Sequence, residues 1–461
     1  MTYKIFIYTF LLLILSTGIG FGQIETPPEG GEPKDFTFPP VETMTLDNGL
    51  QVSLVPYGNL PRAVVRAVMR IGNINEQENE VWLADLTAEM LKEGTTSLTA
   101  AEIARKAAGF GGEISVSTGM DQSWAGGEVL GEFTSDMIYL IADILINPSF
   151  PEKEFGRLKN DYLRNLSIAK TQPQQLASEK FLKVLYGNHP YGRLFPTEEM
   201  LRNYSLDQIK KFYEENYGAV RTHLYVAGKF DQKAVKEAIR SAFSDWKKGN
   251  EPVAKPAQAK SERKIYLVNR SEAPQSTIYI GIPVEDPSHE DYTDLRVMNT
   301  LLGGYFSSRI TANIREDKGY TYSPHSYISS HYRDAYWIQV ADVSTEVTGA
   351  SIREIFYEID RLKEEKPPES ELNGVQNYMA GTFVLRNSNR SGIINQLAFI
   401  NLHGLSKEYL DNYIQNIYTV NPQDIRDIAK KYLQEDRMTI VIVGDEKKIP
   451  AQVKEFAEIQ Y

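Results

Sequence analysis

Two carboxylates spaced four residues apart are the first groups in this chain that could do chemistry. In "WLADLTAEML" (Trp82 to Leu91), Asp85 and Glu89 share one helical face, while Leu83, Leu86, Met90 and Leu91 form an apolar stripe. Such a pair can hold a metal, move protons or simply face water. A second pair lies in "LLGGYFSSRITANIREDKGYTYSPHSYIS", where Arg315 and Tyr322 stand seven residues apart. A guanidinium offers fixed planar donors and a phenol one hydroxyl donor, a set suited to gripping a carbonyl or its oxyanion. Both residues also have structural readings. Arginine near a helix C-terminus complements the dipole, and tyrosine is common in strands.

Other chemistry is excluded or weakly supported. The six histidines are His189, His223, His289, His325, His331 and His403, and no two are spaced i,i+4. Neither H-E-x-x-H nor H-x-x-E-H can therefore occur. His189, in "YGNHPYGR", reads as part of a polar turn. There is no cysteine, which removes thiol catalysis, disulfides, a lipidated N-terminal Cys and Cys-based zinc sites. Serines in "GGYFSSRI" and "NSNRSG" lack the G-x-S-x-G elbow, and "GFGGE" (Gly109 to Glu113) does not join a strand to a helix. A net charge of −11 argues against nucleic-acid binding.

The chain has 461 residues, with 42% hydrophobic and 11% aromatic, so it can bury a large core in two or more domains. "MTYKIFIYTFLLLILSTGIGFGQ" reads as an export signal cleaved near Gly22–Gln23, with Lys4 in its n-region and an apolar core from Ile5 to Leu15. That core is short for a membrane span, and no later segment reaches such a length. The mature protein is expected outside the cytoplasm, in the periplasm in preference to secretion. Residues 23–40 are rich in Pro, Gly and acids and read as a linker, as does the segment 247–264.

The flanks of that second linker repeat one another. "SLDQIKKFYEENYGAVRTHLYVAGKFD" (Ser205 to Asp231) matches "NPQDIRDIAKKYLQEDRMTIVIVGDEK" (Asn421 to Lys447), each a capped amphipathic helix leading into a strand that ends in glycine. "INPSFPEKEFGRLKNDY" and "KEEKPPESELNGVQNYM" pair at nearly the same offset. Two duplicated α+β domains follow, over 41–246 and 265–461. The glycine turn at Gly303–Gly304 should lead to an amphipathic helix from about Ser307. That helix should stop at Lys318–Gly319 before an aromatic strand, with Arg315 in its last turn and Tyr322 early in the strand.

From Val41 onward the chain resembles the pitrilysin/insulinase family of zinc metallopeptidases. The resemblance rests on "TLDNGLQVSLVP", "MLKEGT", "GGEISVST", "YGNHPYGR" and the long "GGYFSSRITANIREDKGYTYS". It implies the mitochondrial-processing-peptidase-like fold of two homologous domains. It also places "LADLTAEML" where the family carries H-x-x-E-H. The first metal His then falls on Asp85, the catalytic Glu on Ala88 and the second His on Glu89. The family's further ligand Glu belongs in the helix after Pro151, where between Glu154 and Glu179 the only acid is Asp161.

Read this way, the chain binds no metal, and Asp85, Ala88 and Glu89 are degenerate motif positions. A substitute site of Asp85, Glu89 and Asp161 would suit Mg²⁺ or Ca²⁺ rather than zinc, and Ala88 cannot act as a base. A salt-linked or solvated face is the better reading of these acids. Many family members are two-chain enzymes in which the chain without zinc supplies an Arg and a Tyr, and those positions fall on Arg315 and Tyr322. One departure is Ser115 in "GGEISVST", where active members carry an Asn that helps hold the peptide as an added strand. The resemblance therefore implies a non-catalytic subunit, with zinc in an H-x-x-E-H partner chain and a peptide or unfolded segment as substrate. The rival of the same fold is a binding or scaffold protein that cleaves nothing.

Overall fold

A computed structural model describes residues 37–461, so the export signal at 1–22 and most of the linker at 23–40 lie outside the described residues. The architecture is α+β and built twice. The first sheet holds β1 (Glu42–Thr45), β2 (Gln51–Pro56), β3 (Arg62–Met69), β4 (Ser115–Thr118), β5 (Ser123–Leu130) and β6 (Thr222–Gly228), in the order β1-β2-β6-β3-β5-β4. The second holds β7 (Lys264–Asn269), β8 (Gln275–Val284), β9 (His325–His331), β10 (Asp334–Ser344), β11 (Thr439–Gly444) and β12 (Glu458–Gln460), in the order β12-β7-β11-β8-β10-β9. Five of the six positions correspond; only the first edge differs, β1 being antiparallel to its neighbour and β12 parallel. Residues 247–263 carry no helix or strand, and β7 begins at Lys264, the last residue of the expected linker.

The helices that matter here are α1 (Leu83–Leu91), α2 (Glu152–Ala169), α3 (Pro173–Tyr186), α4 (Leu206–Asn216), α5 (Tyr292–Asn299), α6 (Glu369–Arg386), α7 (Arg390–His403) and α8 (Pro422–Tyr432). The repeat read from sequence is explicit in α4 and α8. Ser205 and Asn421 cap them with reciprocal capping boxes, and strands β6 and β11 follow.

Alternation along β3 explains how the halves fuse. Val65, Ala67 and Met69 point into a core shared with α1, where Leu86, Met90 and Leu91 are fully buried. Val64 and Val68 point the other way, into a core shared with Ile278, Ile280 and Ile393 of the second half. The covering is reciprocal: α7 of the second half packs on β3 and β6, while α3 of the first half packs on β8 and β11. Gly281 on β8 allows that approach, since a Cβ there would lie 2.5 Å from Phe181 Cζ on α3. Among the described residues, no helix is long and apolar enough to cross a membrane.

Candidate functional site

Helix α1 forms because its apolar stripe finds the core, but it begins in an unusual way. Its N-cap residue Trp82 adopts a left-handed φ of 68° and offers no side-chain cap. Glu76, seven residues upstream of the first helical residue, does the capping instead: its Oε1 accepts from the Ala84 N–H at 2.9 Å. Asn73 then bridges two acids, donating from Nδ2 to Glu76 at 3.1 Å and to Asp85 at 2.6 Å. Burial pushes the Glu76 carboxyl well above the usual carboxylate range, and the neighbouring Asp85 adds to it. Burial raises Asp85 as well.

The remaining acids are paired with cations. Glu89 meets Lys92 at 2.7 Å. Asp161 accepts from Arg157 and Arg164, each at 3.1 Å, and Arg157 also holds Glu93 at 2.9 Å and Glu154 at 2.7 Å. Ala88 is buried and carries no proton-transfer group. Among the described residues no group of three or more His, Asp or Glu is arranged to hold a metal. The donors at this place do not fit a zinc ion: one acid is fixed by an amide, one by a lysine and one by two arginines. The salt-linked reading describes Glu89 and Asp161. It misses Asp85, which is neither salt-linked nor solvated but enclosed and held by Asn73. It also misses Glu76, because a cap reached across a left-handed tryptophan leaves no periodic mark in "GNINEQENE".

Around Arg315 the structure departs from the expected helix. Arg309–Thr311 form a short α turn that widens into π turns over Ala312–Asp317, and Gly319 ends it at φ 65°. The segment is anchored from below by Arg309, which is bidentate to Glu371 on α6 at 2.8 and 2.7 Å, and by Asn313 Nδ2, which reaches Glu354 and Glu358. Tyr322 is not in a strand but in the connection before β9, which starts at His325.

The two residues are nonetheless together. The Arg315 guanidinium lies 4.9 Å from the centroid of the Tyr322 ring and 4.3 Å from that of Phe306, with Nε 3.0 Å from Glu316. Tyr322 is 80% exposed and Phe306 63%, while the Arg315 side chain between them is 24% exposed. Phe306 belongs to this group although spacing alone did not single it out; its signal is an aromatic between a glycine turn and two serines. Ser115 lies on β4, the outermost strand of the first sheet, opposite Gly126. His189 sits at the start of a turn, accepting from Tyr191 N–H at 3.3 Å.

Comparison with known proteins covers most of the chain. A model described as insulinase (peptidase family M16) matches residues 59–196, and one described as the peptidase M16 inactive domain matches residues 203–379. An uncharacterized zinc protease, YmxG, from Bacillus subtilis is 24% identical over 86% of this chain and 96% of its own length. A non-peptidase homolog from Helicobacter pylori is 23% identical over 84% of this chain and 90% of its own. Among solved structures, a peptidase M16 inactive domain from Pseudomonas fluorescens shares the fold with a TM-score of 0.80 at 22% identity, covering 88% of this chain and 98% of that one. A protease from Helicobacter pylori superposes with a TM-score of 0.82 at 21% identity, covering 88% of this chain and all of its own.

Proposed function

Because the chain belongs to the insulinase family, peptidase family M16, we propose that it is the non-catalytic, substrate-binding subunit of a two-chain zinc metallopeptidase. The observation that carries this reading is a contrast within the chain. The place of the metal helix holds Asp85, Ala88 and Glu89, each unfit for its role, while Arg315 and Tyr322 stand together at the surface. In this reading an exported partner bearing H-x-x-E-H brings the zinc and the general base. This chain brings Arg315 and Tyr322, which orient a peptide carbonyl and stabilise negative charge as it develops there. Phe306 keeps the guanidinium in one orientation and sheds water from it. Substrates are peptides or unfolded segments.

The test is hydrolysis of a quenched fluorescent peptide by the chain from Gln23, alone and in complex with an H-x-x-E-H family member. Activity is expected only from the complex, and Arg315→Ala should lower it about 10²-fold, as for loss of one oxyanion donor. A zinc-loaded complex whose activity ignores Arg315→Ala, or that cleaves nothing, would make the chain a scaffold of the same fold. Metal-dependent cleavage by the chain alone would overturn both readings.

A further inference from the structure

The second half holds a cleft of about 530 Å³ between α5, the outer strand β9 and the helices α6 and α7. None of the residues lining it is Asp or Glu, although the chain as a whole carries a net charge of −11. Two arginines line it. Arg296, on α5, is walled in by tyrosines: its guanidinium lies 5.5 Å from the Tyr413 ring centroid, with Tyr409 and Tyr292 close by. Arg386, in the last turn of α6, is exposed at the rim. Neither has a carboxylate within 4.0 Å among the described residues, whereas Arg309, nearby, is bidentate to Glu371. Asp294, the acid on Arg296's own helix, stands instead beside Asp424 and Asp291.

A guanidinium stays charged in proteins, and a partly enclosed one without a counter-ion carries a desolvation cost that an incoming anion would offset. The neighbouring donors are set for the same task. Asn395, on α7, accepts from Arg66 Nη1 at 2.6 Å through Oδ1, so its NH₂ group is left without an acceptor among the described residues at the cleft wall. The shape favours an extended chain over a compact ion. β9 is the outermost strand of its sheet, and Ser326, Tyr327 and Ile328 line the cleft; Asn299 Nδ2 lies 3.5 Å from the Ser326 carbonyl, so an added strand would pair with the peptide groups beyond it. The other mouth leads toward Arg315: Gly304 lines the cleft, Tyr305 packs on the lining ring of Tyr378 at 5.2 Å, and Phe306 lies under the Arg315 guanidinium.

We propose that this cleft binds a peptide carboxylate, clasped by Arg296 and Arg386 with the Asn395 amide, while the peptide backbone runs along β9. The carboxylate is a C-terminus or an Asp or Glu side chain. Binding belongs to this chain alone and does not depend on a partner or on the role of Arg315.

Three fluorescein-labelled nonapeptide pools distinguish the sources when titrated against the whole chain by anisotropy. One ends in a free acid and lacks Asp and Glu; one is C-terminally amidated and contains them; one is amidated and lacks them. One or both carboxylate pools should bind at least tenfold tighter than the acid-free amide, and the stronger pool identifies the source. Arg296→Gln should remove the preference, and Arg386→Gln, at an exposed position that leaves the fold intact, should reduce it at least threefold. Equal binding by all three pools, binding by none, or a preference unchanged in Arg386→Gln would overturn the proposal. Because no partner chain is present, a failed peptidase assay would leave this result standing, and the reverse.

Discussion

The same scaffold appears twice in this molecule, and its two copies treat charge in opposite ways. In each half a helix follows the central antiparallel strand and lies near the outer strand: α1 after β3 in the first, α5 after β8 in the second. On and before α1 the ionisable groups are acids, and each is satisfied from within: Asp85 by Asn73, Glu89 by Lys92, and Glu76, upstream of the helix, by the Ala84 N–H it caps. On α5 the charged group facing the cleft is Arg296, set among tyrosine rings with no carboxylate within 4.0 Å among the described residues. The acids around α1 are closed over from within; the cleft beside α5 leaves a charge for something else to meet. The difference is physical, because leaving a buried ion unpaired is costly and persists only where something offsets it.

The largest effect is expected from adding a third acid to α1. Ala88 is 3% exposed, so Ala88→Glu forces a carboxylate into the packed face of α1 beside Asp85 and Glu89. A loss of about 3 kcal/mol is expected in chemical denaturation, with no peptidase activity gained. If the variant were as stable as the parent, the place would be roomier and more polar than the packing implies.

Glu76 tests whether the closed half depends on its cap. Glu76→Ala strips acceptors from Ala84 N–H and the Asn73 amide and should cost about 1–3 kcal/mol. Glu76→Gln keeps an acceptor and should cost less, by an amount that changes with pH. Burial raises the Glu76 pKa in the folded state, so its protonated form contributes stability fully below the unfolded value, and that contribution is lost as pH rises through the folded pKa. The glutamine cannot ionise. Melting temperatures measured from pH 4 to pH 8 should therefore move in favour of Glu76→Gln as pH rises; parallel curves would mean that Glu76 is not held protonated.

On the open half the expectation is a stability that barely moves. Arg296→Met exchanges an unpaired guanidinium for an apolar chain of similar reach among Tyr292, Tyr409 and Tyr413. Unfolding free energy should stay within about 1 kcal/mol of the parent, because lost ring contacts and relieved desolvation nearly cancel. A loss of several kcal/mol would mark Arg296 as a structural residue and sharpen the contrast with Arg309, whose pairing with Glu371 is internal.

What a sequence can show of such a structure depends on the range of the interaction. The repeat could be read because caps, helical stripes and terminal glycines are local patterns, and α4–β6 and α8–β11 follow them closely. The pairing of Arg315 with Tyr322 follows from both lying within one turn-bounded segment, although the π turns that widen it have no residue signature. The role of Glu76 leaves no local pattern, since its partner Ala84 lies across a left-handed tryptophan. The cleft was equally hidden. Arg296, Arg386 and Asn395 come from three helices, and what distinguishes Arg296 is a missing neighbour, which only the folded chain can show.

The smallest expected effect separates the two kinds of acid on α1. Glu89 and Lys92 form a one-turn pair with about a third of each side chain exposed, so Lys92→Met should cost only about 0.5 kcal/mol. The same change frees the Glu89 carboxylate, which the proposed function places where a second metal ligand would stand. If Glu89 were a masked ligand, Lys92→Met would give a melting temperature that rises with added Zn²⁺ or Mg²⁺ and falls back with chelator. No metal-dependent shift is expected, because Asp85 remains bound to Asn73 and Asp161 to Arg157 and Arg164, and one freed oxygen donor does not make a site. A clear shift would show that the closed half is held shut by a single lysine rather than by its whole hydrogen-bond pattern.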